Sequence, residues 1–298
     1  LVCRTTPAHA DTGCLKLMTE FKVKFVAFVD ILGFKSLVAD AEAGTGLSLQ
    51  QLTKLIESFG SPEEREKIEK HGPTYCPESR FEDRNLDFRL TQISDCAIIS
   101  TEISPAGVIC LIGHCWGTVT MFLQHGIMCR GYITRGNIYH TSSHVIGTGY
   151  QAAHAAEEQV SVFKRAADEK GTPFVEVDHV VCDYIRECED ACIKEMFSRM
   201  TESDGDGVAL FPFKRLSHSF VIDRQFDPQK EKQANQKLRL ILQSFKHRVM
   251  DYVDNSNPSA LMKSEHYIGA LDAQLEMCDR ADEVIDKLCA PAVNYPKH

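Results

Sequence analysis

The chain has 298 residues, 43 % of them hydrophobic and 25 % charged, and a net charge of −9. This is the balance of a globular protein with a sizeable core, and it excludes a disordered or fibrous chain. The acidic total also argues against non-specific nucleic-acid binding, so an anionic ligand has to be met locally, by metal ions or by a few placed Arg and Lys.

Residues Leu1 to Met18 carry Arg4, His9, Asp11 and Lys16 and no uninterrupted apolar run, so no export signal is expected, and Met18 is a candidate start. Phe21 to Val29 is a nearly continuous Val- and Phe-rich run, the pattern of a strand buried on both faces, with Asp30 at its end and a sharp exit at Gly33. Helical spacing follows over Phe34 to Glu42 and Leu47 to Phe59. Ser61 to Asp87 reads as a surface excursion. Phe88 to Ile93 and Ala97 to Ser100 read as strands flanking a bend at Ser94-Asp95. Ser104-Pro105 starts a helix running towards Gln124. Its apolar stretch, Ala106 to Leu123, is interrupted by glycines, His114 and threonines, so a buried helix is expected and no membrane insertion. Ile127 to His140 reads as one or two strands broken at Gly131 and Gly136. Gly149 to Lys170 reads as a helix stopped by Gly171, and Phe174 to Val181 and part of Val208 to Asp223 as further strands. From Asp227 the pattern is helical, with Leu238, Ile241, Leu242, Phe245 and Val249 on one face and a second helix over Ala270 to Leu288. The order of elements predicts an α+β fold closed by a helical appendage.

The twelve cysteines are scattered, without the paired short spacing of a structural zinc site, and predict buried thiols in a reducing cytoplasm. His114, His125 and His140 read as ordinary core or surface residues. Two carboxylates stand out, Asp30 at the end of the most buried strand and Asp95 at the hairpin bend. Adjacent strand ends bring such groups together, and a repelling pair in a partly buried place suits Mg²⁺ or Mn²⁺. From position alone the alternative is equally open, with Asp30 a helix cap and Asp95 a turn residue. A P-loop is missing, and Leu32 stands where a haloacid-dehalogenase phosphatase needs its second Asp.

Phe28-Val29-Asp30-Ile31-Leu32-Gly33-Phe34 resembles the first metal motif of class III nucleotidyl cyclases, and Ile93-Ser94-Asp95 resembles the second. Arg130 to Gly136, Val145-Ile146-Gly147 and Ala152-Ala153-His154-Ala155-Ala156-Glu157 follow in the layout of the later cyclase segment. The resemblance covers the order of elements over residues 21–225 and implies three parts: an N-terminal extension (1–20), a cyclase domain (21–225) and a C-terminal helical appendage (226–298). The implied core is a ferredoxin-like βαββαβ sheet with helices on one face. The implied metal ligands are Asp30, the Ile31 backbone carbonyl and Asp95, holding two Mg²⁺ or Mn²⁺ ions.

Departures from the family sharpen the expectation. The ribose-orienting Asn falls on Gln151, and the phosphate-stabilising Arg falls on Ala155, so that Arg is absent. The two base-reading positions fall on Thr91 and His144, which match neither purine pair. This set looks most like the bacterial pyrimidine cyclases of Pycsar anti-phage systems. The resemblance then implies conversion of UTP to cyclic UMP and pyrophosphate, with CTP as the alternative substrate, in a homodimer with composite sites, its product acting on a separate effector. Strand parity places Arg89 and Thr91 on the face of Asp95, with Arg89 a candidate filler of the groove. Arg130 and Arg135 are candidate replacements for the missing Arg, and their opposite parity lets only one of them face the site. A second expectation is a catalytically silent cyclase-like module that binds a nucleotide or a partner, for which Ala155 speaks.

Overall fold

The computed structural model describes residues 20–61, 63, 66, 86–205, 207–214, 221, 222 and 225–289. Residues 1–19 of the N-terminal extension and most of the 61–87 excursion lie outside them. The chain is mixed α+β. Strand β1 (Lys22–Ile31) lies at the centre of the sheet, flanked by β3 (Cys96–Glu102) and β4 (Cys129–His140), both antiparallel to it. Strand β2 (Arg89–Ile93) pairs with β3 across a tight turn in which Ser94 takes φ 54°. Beyond β4 lie β6 (Val175–Val177), β8 (Val208–Leu210) and β7 (Thr201–Ser203), giving the order β2-β3-β1-β4-β6-β8-β7, with β5 (Val145–Ile146) paired to β4. A separate two-stranded ribbon joins β9 (Val221–Ile222) and β10 (Gln225–Phe226).

Because β1 is buried on both faces, its odd and even residues serve two cores. Phe25, Ala27, Val29 and Ile31 pack with α1 (Phe34–Ala43), α2 (Leu49–Ile56) and α3 (Pro105–Leu123). Helix α3 starts where expected, with the Ser104 side chain accepting from the Gly107 N–H at 3.0 Å and Pro105 in the first turn. It is long and apolar enough to cross a membrane by composition, but most of it is buried in this core. Val26 and Phe28 face the other way, onto Ile98, Ile138 and Ala153 of α4 (Thr148–Glu157). The helices between β1 and β4 thus share one face, as expected of the core, and α4, which follows β4, covers the other. Gly136 and Gly149 let this helix and the sheet touch: a Cβ on Gly136 would stand 2.6 Å from the Gly149 Cα.

Other boundaries also shift. β4 is one strand of 12 residues, because Gly136 admits close packing there without ending the ladder. The helix expected to reach Lys170 stops at Glu157. Past it, Val160 and Val162 are buried and the Ser161 and Val162 N–H groups donate to the Glu176 carboxylate, a fold of the loop that overrides Ala-rich helix propensity. The strand expected over Phe174 to Val181 ends at Val177, where the Asp178 carboxylate accepts from the Val180 N–H and caps α5 (His179–Glu187). Asp190 caps α6 (Ala191–Met200) in the same way. The tail forms α7 (Pro228–Tyr252) and α8 (Pro258–Cys289), the latter starting well before Ala270 at an Asn257 cap. Ile241 is 49 % exposed, whereas Leu242, Phe245 and Val249 of α7 share a core with Phe174, Phe211 and Phe213 of the body and with Tyr267 and Leu271 of α8. Cys96, Cys110, Cys115, Cys129, Cys182, Cys188, Cys278 and Cys289 are free thiols. Cys192 is disulfide-bonded, an exception to the expected thiols.

Candidate active site

The site is built where β1 meets the β2–β3 turn. Asp30 lies beside Cys96 in β3 and Arg130 in β4. The Ile31 N–H donates to the Asp95 carbonyl at 3.0 Å, which ties the turn to the end of β1. The carboxyl group of Asp30 is pushed up to about 7 by burial, then by the charges of Asp95 and Glu157, against the opposing pull of Arg130 and of the Ile31 N–H. The Cys96 thiol is raised to about 11 by burial and by the same three carboxylates. Three acidic groups thus share one field. Glu157, the last residue of α4, is buried and ion-paired to Arg130. A further cation comes from α8: Lys263 is half-buried within electrostatic reach of Arg130, Glu157 and Asp30.

Among the described residues no group of three or more His, Cys, Asp and Glu is placed to hold a metal ion. The donors available from side chains are the two carboxylates of Asp30 and Asp95. A partly buried pair of oxygen donors, one of them already raised by the charge of the other, fits a hard divalent cation that keeps open positions for water and phosphate oxygens.

The remaining candidates divide by strand parity. Arg89 and Thr91 lie on the Asp30 face, level with Ser100 and Ile98 of β3. Arg89 does not fill the groove beside Asp30. Its guanidinium stands 3.7 Å from Asp87, in a cluster with Lys24, because it sits level with Val26, about 13 Å along β1 from Asp30. The Thr91 hydroxyl meets His140 Nε2 at 3.0 Å, and Ser100 meets His140 Nδ1 at 2.9 Å. Arg130 faces the site. Arg135 does not: it pairs with Phe25 on the opposite face and its charge is felt by Tyr184. His144 is exposed in the turn after β4, held by Thr141 and Ser143, at the far end of that strand from Asp30. Gln151 and Ala155 are exposed on α4.

Two residues were missed as site members, whereas His140 is a buried residue satisfied by Thr91 and Ser100, in keeping with its reading as a core histidine. Glu157 had a local signal, a carboxylate one turn beyond the buried Ala153 of a small-residue helix. Lys263 had none, since only tertiary packing brings α8 here. No protein-family model matches the chain, and no curated protein matches its sequence.

Proposed function

We propose that the chain is a pyrimidine nucleotide cyclase that converts UTP to 3′,5′-cyclic UMP and pyrophosphate. The observation that carries this reading is the meeting of Asp30 and Asp95, whose charges act on one another at the end of the central strand. Its support is the setting: strand, helix, strand, strand, helix, strand in the sheet order β2-β3-β1-β4, the ferredoxin-like arrangement expected of a class III cyclase core. Asp30 and Asp95 would hold the divalent ions. Bound there, Mg²⁺ or Mn²⁺ supplies Lewis acidity towards the ribose 3′-hydroxyl and the polyphosphate. The reaction forms a bond between the 3′-oxygen and the α-phosphorus, breaks the bond to the β-phosphate and releases the 3′-hydroxyl proton to solvent. Arg130, held by Glu157, adds fixed positive charge beside the carboxylates. Base and ribose contacts come from a second copy of the chain, through Thr91, His144 and Gln151.

Purified protein incubated with Mn²⁺ and each of the four labelled nucleoside triphosphates tests the reading. The expected product is cyclic UMP, with cyclic CMP the neighbouring alternative, and Asp30→Asn and Asp95→Asn each abolish it while melting no lower than the parent does. Turnover of ATP or GTP alone refutes the base assignment. Full activity in either variant refutes the two-carboxylate site.

One observation favours a silent nucleotide-binding module instead: Ala155 stands where the family carries its Arg, and the Arg130 guanidinium is engaged by Glu157. Nucleotide binding by calorimetry without pyrophosphate release identifies that case.

A further inference from the structure

The C-terminal hairpin does more than close a core. Helix α8 is pinned to the body on the face that carries Lys263. Three residues on, His266 Nε2 meets Glu169 at 2.7 Å and its Nδ1 lies 3.0 Å from the Phe163 carbonyl. Four residues on, Tyr267 stacks on Phe174 with ring centroids 5.2 Å apart, and its hydroxyl meets the backbone of Cys129. Cys129 is the cross-strand partner of Ile31, next to Asp30. Residues three and four apart share a helix face, so these anchors aim Lys263 at the carboxylate end of β1. Among the described residues Lys263 forms no ion pair, whereas Arg130 is taken by Glu157. Burial and the Arg130 charge lower its pKa, while Glu157 and Asp30 oppose them.

A lysine kept beside carboxylates but unpaired with them, on a flexible four-carbon stem, is free to bind another anion. We propose that Lys263 binds the polyphosphate of the substrate in the same protomer that supplies Asp30 and Asp95, which makes the C-terminal hairpin part of the site. The inference rests on the nucleotide-site reading above, and takes the phosphate-binding role that Ala155 leaves vacant.

The probe is inorganic tripolyphosphate with saturating Mn²⁺, titrated calorimetrically into the full chain as wild type, Lys263→Gln and Lys263→Arg. The expected result is a loss of about tenfold in affinity for Lys263→Gln, about 1.4 kcal/mol, with Lys263→Arg close to wild type and Mn²⁺ binding alone unchanged in all three. Equal affinity in wild type and Lys263→Gln overturns the inference, as does a wild type that does not bind tripolyphosphate. Lys263-dependent binding without turnover of any of the four triphosphates sinks the cyclase reading and leaves the inference standing. Turnover with Lys263-independent binding does the reverse.

Discussion

His140 offers a measurement that depends on local geometry alone. Its ring is 8 % exposed, with both nitrogens met by hydroxyls, Thr91 Oγ1 at 3.0 Å and Ser100 Oγ at 2.9 Å. Burial, with the Lys24 and Arg89 charges, lowers its pKa from 6.5 to about 4, and Asp87 opposes the shift. The sign follows from linkage. Above pH 6.5 the ring is neutral in both states. Between 6.5 and 4 the unfolded chain takes up a proton that the folded chain refuses, so stability falls as pH falls through this window and the loss is complete near pH 4. A displacement from 6.5 to about 4 corresponds to about 3 kcal/mol. The perturbation is His140→Gln, which keeps a polar side chain but does not titrate. Urea unfolding of both chains at pH 7.5, 6, 5 and 4.5 isolates the histidine, because all other groups titrate alike in the pair. At pH 7.5 the variant is less stable by about 1–2 kcal/mol through lost packing and hydrogen bonding, and towards pH 4 that deficit closes and reverses. Parallel pH profiles in the two chains would show that His140 is not held neutral, and the account of Thr91 as pinned by it would fall.

Other outcomes follow from the site. Glu157→Gln leaves the Arg130 guanidinium buried without its counter-charge and costs about 3 kcal/mol in denaturant midpoints; a cost below about 1 kcal/mol contradicts the buried pair. Mn²⁺ at a hundred times its dissociation constant stabilises the wild type by about 2.7 kcal/mol. The melting temperature of Asp30→Asn or Asp95→Asn does not respond, and an equal rise in either variant removes that residue from the metal site. Gly136→Ala places a methyl group against the Gly149 backbone at 2.6 Å and costs about 2 kcal/mol or more, read as a lower melting temperature with unchanged helix content.

The parts of the fold legible in the sequence are those with local signals. The β1 run, the Ser94-Asp95 bend and the Ser104-Pro105 start each rest on a few adjacent residues, and they place Asp30, Asp95 and α3 correctly along the chain. The cap at Asp178 was equally local, but the valines on both sides of it read as one strand. The glycines of β4 look alike in sequence, and only the depth of the contact with Gly149 shows that Gly136 serves packing. Arg130 and Arg135 were separable by parity as two faces, but which face carries the site became clear only from the register with Asp30. Lys263 was not legible, since nothing in a helix face announces which strand end it covers.

The cyclase reading also divides the nucleotide between two copies of the chain. In one chain Arg130 stands beside Asp30 near the start of β4, while His140 at its end meets Thr91 and Ser100, with His144 four residues further on. Under the cyclase reading, His144 of one copy reads the base for a reaction at Asp30 and Asp95 of another. An association in which one copy presents its His144 end to the Asp30 end of the other satisfies this twice by symmetry. Mixing separates the possibilities. Asp30→Asn and His144→Ala chains, each inactive alone, regain about a quarter of wild-type turnover when mixed, because half of the pairs are mixed and each of these holds one intact site. A mixture no more active than its components, or a His144→Ala chain that turns over normally by itself, places base recognition within one chain and points to residues other than His144.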